Sequence, residues 1–238
     1  MKILFKPQTE WLPPEEFKDL SSYDEIAIDL ETKDSNLKTM GSGSVTGQAK
    51  IVGIALAVDG WSGYYPIDHE GGGNMDRKKV LDYFRTILNY PSTKIFHNAM
   101  YDVCFIKALG LKINGRVVDT MIAGSLVNEN RFRYDLGSMG RDYLGKGKNE
   151  AVLLETAKEW GLDPKSEMYK LPAMYVGEYA ERDAEMTLEL WQEMKKQILI
   201  EEVTSIFDLE TELFPCLVDM RFLGVRVDVE AAHQLKDK

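Results

Sequence analysis

Four acidic residues and one tyrosine are placed where they could do chemistry together. Asp29 and Glu31 stand two apart at the end of the β-like run YDEIAIDL. Side chains alternate along a strand, so both point to one face and can reach a single cation. A lone D-x-E is also what two solvated acids at a strand end look like. Asp102 sits in IFHNAMYDVCFI, between an apolar strand and an apolar helix. A carboxylate in such surroundings is costly unless it is paired or bound to a cation. Asp183 lies within EYAERDAEMTLELW, and Tyr179, four residues earlier, shares its helical face. The ordinary reading of that helix is amphipathic, with Glu178, Glu181, Arg182 and Glu185 on its solvated side. Ala180, Ala184 and Thr187 are small enough to admit a close backbone approach.

Two polar neighbours have competing readings. Asn98 occupies a strand-to-helix turn, where an Asn most often caps the helix, although its amide could still meet a substrate. His97-x4-Asp102 has the spacing of a histidine general base. The segment comes second of three, however, and the third carries Tyr179, so His97 reads as structural or as a neighbour of the site.

The elements that must position these groups are legible from periodicity. Residues 1–22 predict a short lead-in strand and a polar connection carrying Pro13 and Pro14, and Tyr23 to Leu30 predicts the acid-tipped strand. A polar Gly/Ser-rich stretch, Thr32 to Gly47, predicts a mobile loop. IVGIALAV and WSGYYPI, joined through Asp59-Gly60, predict a hairpin. Helices are predicted over Met75–Leu88, Asn98–Leu109, Asp119–Leu126, Val176–Ile200 and Glu202–Phe222. Short strands are predicted at Lys94–Phe96 and Val117–Val118, and VRVDV after Gly224 looks strand-like. An antiparallel hairpin followed by alternating strand and helix indicates an α/β domain with a mixed sheet. No G-x-G-x-x-G follows the first strand, and GKGK at 145–148 lacks the spacing and hydroxyl of a phosphate loop.

Composition constrains the chemistry less. The 238 residues carry a net charge of −10. A protein that grips nucleic acid through phosphate contacts is usually basic, so a polyanionic substrate requires cations between it and the carboxylates. Cys104 and Cys216 are the only cysteines, without metal-ligand spacing, and read as reduced thiols of a cytosol-like compartment. No run is apolar or long enough to span a bilayer, and the first residues do not read as a signal peptide.

IAIDLET, HNAMYD and YAERDA, in this order, resemble the three motifs of the DEDD superfamily of 3′–5′ exonucleases in its Tyr-containing branch. The run VVDTMIAGSLVNENRFRYDLGSMGRDYLG is similar to the proofreading domain of bacterial DNA polymerase I and its phage relatives. Leu209 to Val229 resembles the start of a family A polymerase domain. The resemblance implies an RNase H-like α/β fold, a central mixed sheet of about five strands flanked by helices. It places the exonuclease at residues 1–205 and a truncated polymerase start, without polymerase activity, at 206–238. Two divalent ions, Mg²⁺ or Mn²⁺, would be held by Asp29, Glu31, Asp102 and Asp183, with Tyr179 orienting the attacking water. Thr32, Leu37, Asn98, Tyr101 and Arg133 would meet the substrate, Leu37 as an apolar wedge and Arg133 on a phosphate, with Arg131 as its competitor. The implied partners are a single-stranded DNA 3′ end or primer-template DNA, and the polymerase domain of the same longer chain. The implied setting is a monomer in bacterial or phage-infected cytosol. The rival within the same chemistry is an RNA-trimming exonuclease similar to RNase D, and outside it an inactive DNA-positioning module.

Overall fold

The computed structural model describes residues 9–236. Residues 1–8, where the short lead-in strand is expected to begin, lie outside that range, and residues 9–22, with Pro13 and Pro14, are an irregular connection. The central element is β1 (Glu25–Lys33), enclosed on both faces: Ile26, Ile28 and Leu30 point one way and Ala27 the other. β1 runs past its acids because Thr32 and Lys33 pair with Ile51 and Lys50 beyond a bulge at Glu31/Thr32. Thr32 therefore belongs to the sheet, not to the predicted loop. The loop itself contains two one-turn helices, α1 (Leu37–Met40) and α2 (Gly43–Thr46). Asp34 Oδ2 accepts from the Gly43 amide at 2.9 Å, and this ties the segment back to the end of β1.

The predicted hairpin is present as β2 (Lys50–Val58) and β3 (Trp61–Pro66), turning on Asp59 and on Gly60 at φ +74°. α3 (Arg77–Asn89) starts where Asp76 accepts from the Lys79 amide. β4 (Thr93–Phe96), α4 (Ala99–Ala108), β5 (Val117–Asp119) and α5 (Thr120–Val127) follow as two strand–helix units. α6 (Leu136–Met139), with a π-helical turn at Gly140–Leu144, and α7 (Ala151–Trp160) precede α8 (Gly177–Ile200) and α9 (Thr204–Leu223). VRVDV is not a strand. The described chain is irregular after Gly224 and then forms α10 (Val229–Lys236), and the segment pairs with no strand of the sheet.

The sheet order is β3-β2-β1-β4-β5. β2 and β3 run antiparallel, while β4 and β5 lie parallel to β1 and its neighbour. This is the five-stranded mixed sheet that the resemblance implies. One face packs against α5, α6, α7 and α8, and the other against α3, α4 and part of α9. α8 sits close to the sheet because Ala180 and Ala184 meet Ala27, Ala55 and Ala57, small residues on both sides.

α8 is also bolted in place by polar contacts at the sheet edge. Glu181 Oε1 accepts from the Tyr64 amide at 2.9 Å and from Trp11 Nε1 at 3.0 Å. Glu185 Oε1 accepts from Ser62 Oγ at 2.7 Å. β3 is an edge strand, and a carboxylate takes the place of the missing neighbour strand. Glu181 and Glu185 therefore leave the solvated face that helical periodicity assigns to them. Among the described residues no helix is long and apolar enough to cross a membrane.

Candidate active site

The face of β1 that looks toward α8 carries Asp29 and Glu31 beyond Ala27, as strand alternation requires. Their partners across β2 are Ala55 and Gly53. A Cβ on Gly53 would stand 2.0 Å from the Tyr64 hydroxyl, so only glycine lets that phenol lie beside the two acids. Tyr64 is in turn fixed by His69, whose Nε2 is 2.7 Å from the hydroxyl and whose Nδ1 is 3.0 Å from Leu171 O. The carbonyl can only accept, so His69 Nδ1 carries the proton and Nε2 accepts from Tyr64.

Asp102 enters from the first turn of α4. Its Oδ1 accepts at 3.2 Å from the amide of Leu30, the residue between Asp29 and Glu31. Asp183 comes from the second turn of α8, one turn after Tyr179. Glu31, Asp102 and Asp183 are 7%, 5% and 3% exposed, while Asp29 keeps an edge toward solvent.

Asp29 is the shared neighbour of this group, acting on both Glu31 and Asp102 and acted on by Asp183. Burial, and then Asp183, push Asp29 up to about 7. Burial followed by Asp29 and Asp183 holds Glu31 well above the usual carboxylate range, and burial with Asp29 does the same to Asp102. Burial also raises Asp183, against the opposing effect of Lys148. Like charges this close cannot all ionise without a cation.

Lys148 supplies one such cation. Its Nζ stands 2.5 Å from Asp183 Oδ2 and 3.4 Å from the Tyr179 hydroxyl. Lys146, two residues earlier, reaches Glu189 of α8 at 2.9 Å, so GKGK clips this loop along α8 with two lysines. As the side chains stand, no three acid, His or Cys groups among the described residues are arranged around one metal point. The donor set nevertheless fits a hard divalent cation: four oxygen-bearing acids and a buried Asp183 Oδ1 that has no hydrogen-bond partner. Asp29, Glu31, Asp102 and Asp183 are the groups that could hold it.

The remaining candidates differ in how far they are committed to other contacts. Thr32 Oγ1 and the Tyr101 hydroxyl are 2.7 Å apart. Asn98 has an exposed side chain and sits at φ 65°, ψ 50°, a left-handed conformation that Asn tolerates better than most residues. It does not cap α4 with its side chain. That role belongs to Asp119, whose carboxylate accepts from the amides of Asn98 and Ala99 at 2.9 and 2.7 Å and from Met121 at 2.8 Å. One buried acid thus caps two helices, so the Asn98 amide stays uncommitted. Leu37 is 42% exposed on α1. Arg131 is committed to Asp142 at 2.7 Å and lies over the Tyr143 ring. Arg133 is exposed and has no ion pair among the described residues, which favours it over Arg131 as a phosphate contact.

His97 is held away from base chemistry. Thr120 Oγ1 donates to Phe96 O at 3.2 Å and so accepts from His97 Nδ1 at 2.8 Å. Burial, with help from Lys148, lowers the imidazole to about 4.

Sequence reasoning missed Lys148, Asp119 and the Tyr64–His69 pair. Asp119 carried a readable signal, an Asp at a strand end directly before a helix. Lys148 carried a weaker one, a lysine between glycine and the third acidic motif.

Against known families, a model described as 3′–5′ exonuclease matches residues 6–199. The chain belongs to this 3′–5′ exonuclease family. A DNA-directed DNA polymerase of Pseudomonas phage M6 is 34% identical over 237 residues, covering 96% of this chain and 35% of that protein. The chain thus spans about a third of the length of the curated polymerase relatives it matches. Among solved structures, Brucella melitensis NrnC bound to pGG superposes with a TM-score of 0.62 at 19% identity, over 87% of this chain and 88% of that one. Escherichia coli RNase D, an exoribonuclease, superposes with a TM-score of 0.54 at 19% identity, over 87% and 47%. At such identities these structures establish the fold shared with this exonuclease domain.

Proposed function

We propose that this exonuclease domain removes nucleotides from the 3′ end of single-stranded or mismatched DNA by divalent-metal-dependent hydrolysis, as the proofreading part of a family A polymerase. The observation that supports the reading is that Asp102 Oδ1 accepts from the Leu30 amide between Asp29 and Glu31, while burial and mutual repulsion raise these acids and burial raises Asp183, whose Oδ1 has no partner. Bound by these four acids, two ions of Mg²⁺ or Mn²⁺ would supply a water of lowered pKa and neutralise charge on the scissile phosphate.

The chain's own groups do the rest. The Tyr179 hydroxyl, raised by burial and then by Asp183, stays protonated and so orients the attacking water by donating or accepting a hydrogen bond. Thr32 and Tyr101 form a polar ledge, and Asn98 presents a free amide toward the terminal nucleotide. Arg133 contacts a backbone phosphate, and Leu37 wedges against the terminal base. An acidic surface gives little general attraction for duplex DNA, so grip depends on stacking at an end that is already frayed.

The polymerase relatives favour DNA as the substrate and a following polymerase domain as the intramolecular partner, beginning near residue 206. The fold shared with NrnC and RNase D favours RNA as a second reading. Digestion of matched 5′-labelled DNA and RNA single strands, with Mg²⁺ or with EDTA, tests both. DNA should shorten stepwise from its 3′ end only with metal, and Asp29→Ala should abolish this. Undiminished activity in that variant removes the proposed site, and faster loss of RNA favours the second reading.

A further inference from the structure

The Lys148 ammonium stands in the acid pocket itself. Its Nζ touches Asp183 Oδ2 at 2.5 Å and the Tyr179 hydroxyl at 3.4 Å, and lies 5.2 Å from the centre of the Tyr179 ring. The side chain is only 20% exposed. Asp183 keeps its other oxygen buried without a partner, so the lysine satisfies half of that carboxylate. Lys146 on the same loop is spent outside the pocket, on Glu189.

We infer that Lys148 is a positioning residue that holds Asp183 and Tyr179 in the metal-free protein and is exchanged for a divalent cation when the site loads. This rests on the proposed metal site. The argument is one of charge and space. A pocket with several like charges needs a counter-cation to stay ordered, and Lys148 provides it. A divalent ion ligated by the open Oδ1 of Asp183 would share one carboxylate with the ammonium on Oδ2, and two cations that close repel each other. Lys148 has a flexible four-carbon stem, so its head can swing out while Lys146 keeps the loop on α8.

Two measurements test the exchange. In the wild-type chain, lysine acylation followed by mass spectrometry should show Lys148 labelling rise several-fold on saturation with Mg²⁺, with Lys146 unchanged. Labelling of Lys148 that is the same with and without Mg²⁺ overturns the inference. Calorimetric titration with Mn²⁺ alone should show Lys148→Met binding on the order of tenfold tighter than wild type, since no ammonium has to be displaced. Lys148→Arg should return affinity toward the wild-type value, and Lys146→Met should leave it unaltered. Equal affinity in Lys148→Met and wild type overturns the exchange but leaves the metal site standing. No Mn²⁺ binding by wild type overturns both. Lys148→Gln replaces the Met variant if the latter does not fold.

Discussion

The main-chain amide of Leu30 donates to Asp102 Oδ1 across 3.2 Å, which pins the carboxylate of α4 to the single residue between Asp29 and Glu31. The contact spans 72 residues of sequence and joins two of the three acidic motifs through the backbone. Asp102 is thereby tied to the strand that carries Asp29 and Glu31, while Asp183 is held separately by Lys148.

Asp102 consequently has two separable roles. Asp102→Asn keeps an acceptor for Leu30 and removes a charge, whereas Asp102→Ala leaves that buried amide without a partner. Both should lose nuclease activity. In EDTA, urea unfolding should find the Ala variant less stable than the Asn variant by about 1–3 kcal/mol. Equal stability would show that the Leu30 contact contributes nothing.

Tyr179 is assigned to water, not to metal. Tyr179→Phe should bind Mn²⁺ as wild type does and lose about 10²-fold in turnover, the usual scale for a misplaced proton-handling group. A loss of Mn²⁺ affinity instead would make the phenol a structural support for Asp183.

Metal affinity should rise with pH. Burial and Asp183 raise Asp29 to about 7 from an ordinary value of 3.8. In the metal-free protein the folded state therefore holds protons that the unfolded chain has lost. That stabilisation is full below the unfolded value and disappears as pH rises through about 7. Metal binding runs the other way, because ligation needs the deprotonated acids. Calorimetry with Mn²⁺ should show affinity increasing from about pH 6 to about pH 8 with proton release that fades at the upper end. A pH-independent affinity contradicts the assignment of Asp29 as a ligand.

His69 should support the site through stability alone. Burial lowers its pKa to about 4 from 6.5. The unfolded chain takes up a proton first, so this contribution is full above the unfolded value and is lost as pH falls through the folded one. His69→Gln should lower stability near neutral pH and should flatten the acid-side loss by up to about 3 kcal/mol. The same acid-side slope in wild type and variant, followed by thermal melts, would mean that another group sets it.

The local parts of this arrangement were legible in the sequence. Strand alternation placed Asp29 and Glu31 on one face, helical spacing placed Tyr179 with Asp183, and the Asp59-Gly60 turn fixed the hairpin. The long-range parts were not. Glu181 looked solvated because periodicity cannot reveal that an edge strand 117 residues away lacks a partner for Tyr64. Asn98 looked like a cap because the residue that takes the cap, Asp119, arrives from the next strand. VRVDV alternated like a strand, but alternation does not supply a neighbour to pair with. Lys148 stood out only as the last residue of GKGK, since a salt bridge across 35 residues leaves no periodic trace.

If Asp29, Glu31, Asp102 and Asp183 together hold divalent cations, anomalous diffraction from crystals soaked in Mn²⁺ should locate them. Strong peaks are expected within ligand distance of these four carboxylates, absent in the Asp29→Ala variant. Peaks elsewhere, or none at the four acids under saturating Mn²⁺, would contradict a four-acid metal site.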